Sequence, residues 1–420
     1  MDPIYKIAFR NVMRHKRRTI ITGIVMMVGI GLYIGYDSVL AGMDRLTIDA
    51  MIDGSSSWLK VRTPEYAAEA AASSLEHGIA DPVAAMAAMK AAAPGISACA
   101  PRTLFVAQAS NYADAEPVVA AAVDPAADAE VFTAAAGVAS GRWLATAGGG
   151  HEVVIAAGLA ADLGLGPGDS ILLEAHTMYD NDNADEYRVV GVVGDSASLA
   201  GTASVYLPYA DARLLLGEAL PVTEIDASAP RAGSLDAELK GSAAAAERVR
   251  AALPGLSVAP VGEFAKDYLA LRESKSKASL MLIAMILLIA SVGIVNTILM
   301  SVYSRIREIG VLRAYGMTPG DIRKLFTIEG IIVGTIGSVA GLAFGAAIDW
   351  YFVGTGLNIA AAFGNLDLGA IPVNATLRGE WRPASFAAGL AFGVLVSWLS
   401  ARIPAKKAGR LEPTEALRFV

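Results

Sequence analysis

Apolar residues are laid out along this chain in two patterns: four long unbroken runs, and a central segment in which they alternate with polar ones. The runs are Thr19–Tyr36, which stays apolar past Asp37 to Met43, then Ala278–Ser304, Gly330–Ile348 and Pro383–Ala401. The second is uncharged over 27 residues, the third and fourth over 19 each. About 20 apolar residues rising 1.5 Å each cross the roughly 30 Å of bilayer hydrocarbon, so each run predicts a spanning helix. The expected spans are 19–43, 278–304, 328–353 and 383–403. In the central segment, residues 44–277, alternation predicts strands at Trp58–Arg62, Thr103–Ala107, Pro117–Val123, Ser170–Ala175, Tyr187–Val193 and Ser204–Leu207. Helices are expected at Asp81–Ala93, with Asp81 as N-cap and Pro82 in the first position, and at Ala156–Leu163, Tyr209–Leu216 and Ser234–Leu253. The fold class is therefore a membrane α-helical protein of four transmembrane helices with a large α+β extracytoplasmic (periplasmic) domain between helices 1 and 2.

Composition agrees with lipid. Hydrophobic residues make up 54% and charged residues 18%, below the quarter or so usual in soluble chains. A pI near 5.3 and a net charge of -7 argue against nucleic acid as a partner. The charge is unevenly spread. Residues 1–18 carry a net +5, the 304–327 loop +3 and the 402–420 tail +3, whereas 44–277 carry -15. In the 354–382 loop the only cations are Arg378 and Arg382. Short basic loops stay in the cytoplasm, which puts segments 1–18, 305–327 and 404–420 inside and both 44–277 and 354–382 outside. The first apolar run is too long for a signal-peptide core and no cleavage site follows it, so it is expected to remain as a span of an inner-membrane protein. Ahead of it, Ile4, Ile7, Ala8 and Val12 recur at helical spacing opposite the cations, which predicts an amphipathic helix on the inner surface. Asp37 and Asp349 fall near the outer ends of spans, where water or headgroups would solvate them.

Residues suited to catalysis or metal binding are sparse. Cys99 is the lone cysteine, which excludes an intrachain disulfide and is expected to serve as a small buried residue. His15, His77, His151 and His176 share no metal-ligand spacing. There is no G-x-S-x-G elbow, and no Gly-Lys pair from which a Walker A loop could be built. The Gly-rich stretch Leu163–Asp169 has no following helix to make a phosphate cradle. The acidic run Asp180–Glu186 lacks the glycine and terminal glutamate of an EF-hand and reads as a solvated hairpin tip. Neither catalytic nor cofactor nor metal residues are assigned, and the chain is not expected to be an enzyme.

The loop between the second and third runs is more informative. Ile306, Ile309, Leu312 and Arg313 fall at i, i+3, i+6 and i+7, so a helix presents an apolar stripe. Gly316 suits its C-cap, and Thr318-Pro319-Gly320-Asp321 restarts a helix, with Thr318 as N-cap and Asp321 as its reciprocal partner. The loop reads as helix, tight turn, helix. Small residues four apart recur in the spans: Gly31 and Gly35; Gly330 and Gly334; Gly337, Gly341 and Gly345; Gly389 and Gly393. Such spacing lets helices approach closely, in a tight bundle or in a dimer. Asn296 offers an amide for an interhelical hydrogen bond.

Four parts of the chain carry a family resemblance. Arg307-Glu308-Ile309-Gly310, Arg313-Ala314-x-Gly316 and Glu329-Gly330 resemble the FtsX-like permeases of ABC transporters. So do Ala8-x-Arg10-Asn11 with Arg14-x-Lys16-Arg17-Arg18-Thr19 at the start, and Pro404-Ala405-Lys406-Lys407-Ala408 with Leu411-x-Pro413-x-Glu415-Ala416-Leu417-Arg418 at the end. Val153–Gly168 with Val189–Val193 is similar to the ectodomain of the same MacB/LolC/LolE-type group. The resemblance implies a dimer, of identical or paralogous chains, working with a separate ABC ATPase that binds ATP and Mg. Arg307, Glu308, Ile309, Leu312, Arg313, Gly316 and Met317 would form the ATPase-coupling helix, passing motion to the ectodomain by mechanotransmission. Length, layout and an unfused ATPase are most like the lipoprotein-releasing LolC/LolE group. That implies a LolD-like ATPase, acylated lipoproteins drawn from membrane lipids, and a periplasmic carrier. MacB-like export of peptides or antibiotics shares the layout, and a non-transporting sensor or scaffold is the reading from another class.

Overall fold

The computed structural model describes residues 3–14, 16–68, 75–146, 148–194, 203–358 and 376–411. His15 and the tail motif beyond Leu411 lie outside these residues. In chain order the elements begin with α1 (Pro3–Arg14), α2 (Lys16–Met51) and a π-helical turn (Ile52–Ser56), then β1 (Leu59–Arg62), α3 (Pro64–Ala68) and α4 (Pro82–Ala92). Next are β2 (Ala98–Ser110), β3 (Ala115–Val123), α5 (Pro125–Val131), β4 (Val138–Gly141), β5 (Glu152–Ala156), α6 (Ala157–Leu163), β6 (Ser170–His176) and β7 (Asp182–Val193). They continue with β8 (Val205–Pro208), α7 (Tyr209–Leu216), β9 (Glu224–Ser228), α8 (Leu235–Ala252), β10 (Ser257–Pro260), α9 (Val261–Phe264) and α10 (Lys266–Ser304). The chain closes with α11 (Ile306–Ala314), α12 (Pro319–Gly354), β11 (Leu357–Asn358), β12 (Thr376–Leu377) and α13 (Pro383–Gly409). Two units result, a helical one containing Met1–Asp44 and the later helices, and an inserted one containing Arg45–Ala270.

In the helical unit, α2, α10, α12 and α13 are long and apolar enough to cross a membrane. Each outruns its uncharged stretch. α12 begins at Pro319, so the second helix of the predicted loop is the first turns of the third span rather than a separate element. α13 runs to Gly409, carrying Pro404 inside it, so the tail assigned to 404–420 begins within the fourth helix. The small-residue spacing is used within the chain. A Cβ added at Gly337 would lie 2.7 Å from Met26 Cβ, and Cβ atoms at Gly341 and Gly345 2.8 Å from those of Ile30 and Ile34. Gly31 and Gly35 meet Phe344 and Ile348 in the same α2–α12 contact. All five glycines therefore close an intramolecular packing.

Two span-end expectations change. Asp37 is 4% and Asp349 1% exposed, so neither is solvated by water or headgroups. Asp37 instead pairs with Arg382 at 3.2 Å and accepts a hydrogen bond from the Ser385 hydroxyl. Asn296 is exposed on α10. In α1, Ala8 is fully buried and Val12 nearly so, with Ala8, Ile4 and Ile7 packed on Leu325 and Ile328 of α12. The predicted apolar face is thus covered by the chain itself. A second stripe, Tyr5, Phe9 and Met13, is the exposed one.

The inserted unit is built on a ten-stranded sheet of order β10-β1-β9-β2-β3-β8-β5-β7-β4, with β6 pairing β2 and β7. Pairings are antiparallel except β3–β8 and β5–β7. All six predicted strands are present. Four others, β4, β5, β9 and β10, were not predicted. The four predicted helices form, and Asp81 and Ser234 cap α4 and α8 through their side chains. An unpredicted helix, α5, starts on the same Asp-Pro signal at Asp124-Pro125. Only the first two residues of the acidic run, Asp180 and Asn181, are in the hairpin tip; Asp182 onward belongs to β7. There His176 Nδ1 lies 2.9 Å from Asp182 and Nε2 3.2 Å from Asp180, and these hydrogen bonds hold the imidazole pKa above its ordinary value.

Cys99 on β2 is buried, and burial pushes its thiol up to about 11. The interior also holds charges that no sequence pattern announced. Arg102 donates to Asp128 through Nε at 2.6 Å and Nη2 at 3.0 Å, its guanidinium 3.3 Å above the Phe132 ring. Lys60 bridges Glu224 at 2.8 Å and Asp226 at 3.3 Å, and Ser57 donates to Asp226. Burial still raises the Glu224 carboxyl above its usual range.

Candidate functional site

The elbow at one end of the helical unit is α11, the turn Tyr315–Thr318, and the start of α12. It is formed by local chemistry. Gly316, with φ +97°, reverses the chain after α11 in a conformation that L side chains rarely adopt. Thr318 Oγ1 accepts from the Asp321 N–H at 3.2 Å, and the Asp321 carboxylate accepts from the Thr318 N–H at 2.9 Å. Pro319 occupies the first helical position. This reciprocal cap fixes the entry of α12 without help from outside.

The elbow is clamped to the bundle from two sides. Ile306 and Ile309 are buried, and Leu312 and Met317 pack beside them against the helical core that contains Ile322, Phe326, Ala405 and Ala408. Arg313 donates from Nη1 to the carbonyl oxygens of Gly409 and Leu411, at 3.2 and 3.1 Å, tying α11 to the end of α13. On the other side Arg305, 8% exposed, donates to Glu329 at 3.1 Å and to Glu308 at 2.7 Å. The buried Glu329 also accepts from Asn11 Nδ2 at 2.7 Å and from Ser301 at 3.5 Å. One carboxylate thereby joins α1, the end of α10, the elbow and α12. Truncating one partner of such a network leaves the others buried and uncompensated, at a cost of about 3–5 kcal/mol.

The sequence-derived coupling residues therefore separate into two sets. Ile309, Leu312, Arg313 and Met317 face the chain's own helices. Arg307, Glu308 and Gly316 are exposed. Sequence reasoning passed over Val311, Ala314 and Tyr315, which complete the outward face; Tyr315 is 88% exposed. Arg307, Val311, Ala314 and Tyr315 fall at i, i+4, i+7 and i+8, one side of a helix. The signal was there as a second helical periodicity, offset from the apolar stripe. Chemically this face offers a cation, a small apolar patch and a phenol.

Comparison with known proteins fits this layout. Residues 280–413 match the FtsX-like permease C-terminal family model, and residues 19–254 match the MacB-like periplasmic core domain. The chain belongs to the family defined by the MacB-like periplasmic core domain. The MacB-type match covers more than half of its length, from the first span into the inserted unit. The macrolide export ATP-binding/permease protein MacB of Hyphomonas neptunium is 34% identical over 134 residues, 32% of this chain and 18% of that protein. The lipoprotein-releasing system transmembrane protein LolC of Neisseria meningitidis serogroup B is 25% identical over 160 residues, 37% of each chain. The ABC transporter permease YknZ of Bacillus subtilis is 29% identical over 133 residues, 32% of this permease and 29% of that one. The chain spans between about a fifth and somewhat over a third of the length of these curated relatives. With four apolar helices in a permease family, this is a multi-pass membrane protein.

Proposed function

We propose that this permease is the membrane subunit of an ATP-driven transporter, and that a separate ABC ATPase docks on the outward face of the elbow. The carrying observation is the two-sidedness of α11. Its inner face is locked by Arg313 and by the Arg305–Glu329 pair, while Arg307, Val311, Ala314 and Tyr315 stay uncovered. A clamped helix transmits displacement where a loose loop absorbs it. ATP and Mg would be held by that ATPase. A second permease copy, identical or paralogous, is supported by Asn296. This amide is exposed mid-span on α10 among Leu288, Ile289, Val292 and Met300, where lipid would leave it without a partner. Positive charge at the elbow end supports a topology with both termini in the cytoplasm and the inserted domain outside the inner membrane.

For substrate, the LolC relative supports release of lipoproteins from the inner membrane to a periplasmic carrier, with a LolD-like ATPase. The MacB relatives support export of macrolide-like or peptide cargo from the same architecture. Depleting the protein and fractionating the membranes separates them: lipoproteins accumulate in the inner membrane under the first reading and sort normally under the second. The ATPase dock is tested with Val311→Asp and Tyr315→Asp in the full-length chain co-expressed with its ATPase. A charge in the centre of an interface costs on the order of 2 kcal/mol, so about thirtyfold less ATPase is expected to co-purify. Undiminished ATPase with both variants would mean the docking face lies elsewhere.

A further inference from the structure

The same end of the helical unit holds a second feature, apart from the elbow's outward face. A groove of about 520 Å³ opens between the start of α1, the first turns of α12 and the end of α13. Arg323, Arg402 and Lys406 line it together with Tyr5 and Trp398, beside Lys324, which has partners of its own, and no carboxylate is among its described lining residues. The Arg402 guanidinium lies 4.0 Å from the Trp398 ring centroid and Lys324 Nζ 5.9 Å from that of Tyr5. Its height along the bundle is fixed by the sequence. Arg402 is the first charge after the uncharged run Pro383–Ala401, and Thr327, also in the lining, stands one turn before the run starting at Gly330. The groove thus sits where two spans leave the hydrocarbon. From Tyr5, α1 continues its exposed apolar stripe through Phe9 and Met13, at 47%, 55% and 49% exposure.

Clustered cations repel one another unless an anion with several acceptor oxygens sits among them. The aromatic rings and the α1 stripe ask in addition for something apolar. A soluble phosphate satisfies only the first requirement. An acidic protein segment would likewise leave Tyr5, Phe9 and Met13 uncovered. An anionic phospholipid satisfies both, with its phosphodiester among the cations and its acyl chains against the stripe. We propose that this groove is a binding site for the headgroup of an anionic phospholipid, which fixes α1 against α12 and α13. The assignment requires that the chain span a membrane and is independent of the transport reading.

The test uses the full-length chain in detergent, titrated with phosphatidylglycerol and, for comparison, phosphatidylcholine, with bound lipid read by native mass spectrometry. Arg402→Gln/Lys406→Gln is expected to weaken phosphatidylglycerol binding about thirtyfold and leave phosphatidylcholine unchanged. Lys6→Gln/Arg10→Gln removes equal charge from exposed positions of α1 outside the groove and is expected to change binding less than about twofold. If the double variant does not fold, Lys406→Gln alone carries the test, with about fivefold weakening expected. Equal losses in groove and control variants would overturn the proposal in favour of diffuse charge. Displacement of the lipid by millimolar inorganic phosphate would make this a free-phosphate site. Groove variants that keep phosphatidylglycerol but shed the co-expressed ATPase would make it a protein contact.

Discussion

Arg102 and Asp128 illustrate what a single side chain decides in the inserted unit. Burial disfavours the guanidinium charge, and the facing carboxylate outweighs that, holding Arg102 above its ordinary pKa. Neither residue reaches solvent, so the pair is not screened by salt. Asp128→Ala leaves a buried cation without its partner and is expected to cost about 3–5 kcal/mol. The double variant Arg102→Met/Asp128→Leu removes both charges and is expected to recover most of that loss, read as thermal unfolding of the full-length chain in detergent. A double variant no more stable than Asp128→Ala would mean that the pair contributes shape rather than charge compensation. None of this was legible in the sequence. Arg102 and Asp128 stand 26 residues apart, one in a strand and one in a helix, and no periodicity relates them. Asp37 was misread for the same reason, because its partner Arg382 lies 345 residues away.

At the scale of elements, the contact between α2 and α12 seats side chains of each helix on glycines of the other, made possible by the missing Cβ atoms. Gly341→Val places new atoms where Ile30 Cβ is 2.8 Å from the added Cβ. It is expected to cost about 1–3 kcal/mol through overpacking, seen as a lower melting temperature in detergent. Gly293→Ala on α10, where nothing lies within 4 Å, is the matched control and should leave it unchanged. Element legibility followed burial geometry. β6, Ser-Ile-Leu-Leu-Glu-Ala-His, keeps one wet face, alternates, and was found. β5, Glu-Val-Val-Ile-Ala, is buried from its second residue on, so it has no alternation to find. α5 could have been found, since Asp124-Pro125 repeats the start signal of α4. The elbow was legible as helix, turn and helix, because its caps lie within four residues of each other. Which side faces inward was not, because the end of α13 decides it through Arg313, 96 residues before Gly409.

For the whole molecule, the predicted orientation has a direct assay. Cys99 is the lone cysteine, buried, and its thiol is pushed up to about 11, so it stays silent toward maleimides near neutral pH. Val83→Cys, at a position 73% exposed on the inserted unit, is expected to react with a membrane-impermeant maleimide added to intact cells. Lys6→Cys is expected to react only after lysis. The reverse pattern would invert the topology and move the elbow to the wrong side for an ATPase. The four spans and the inserted domain were readable because length and hydropathy are properties of a stretch, needing no knowledge of neighbours. The division of labour around the elbow was not readable, since it depends on which surfaces remain after the helices have packed.

The glycine seam between α2 and α12 has a mechanical consequence. With Ile30 and Ile34 seated directly on Gly341 and Gly345, and Phe344 and Ile348 on Gly31 and Gly35, each side chain in the seam rests on bare backbone with little room to change rotamer. Were a partner to push on the chain at Pro319, this seam would pass the travel to α2 with little slack, as between two planks pinned edge to edge, and a bulkier residue in it would turn that rigid joint into a hinge.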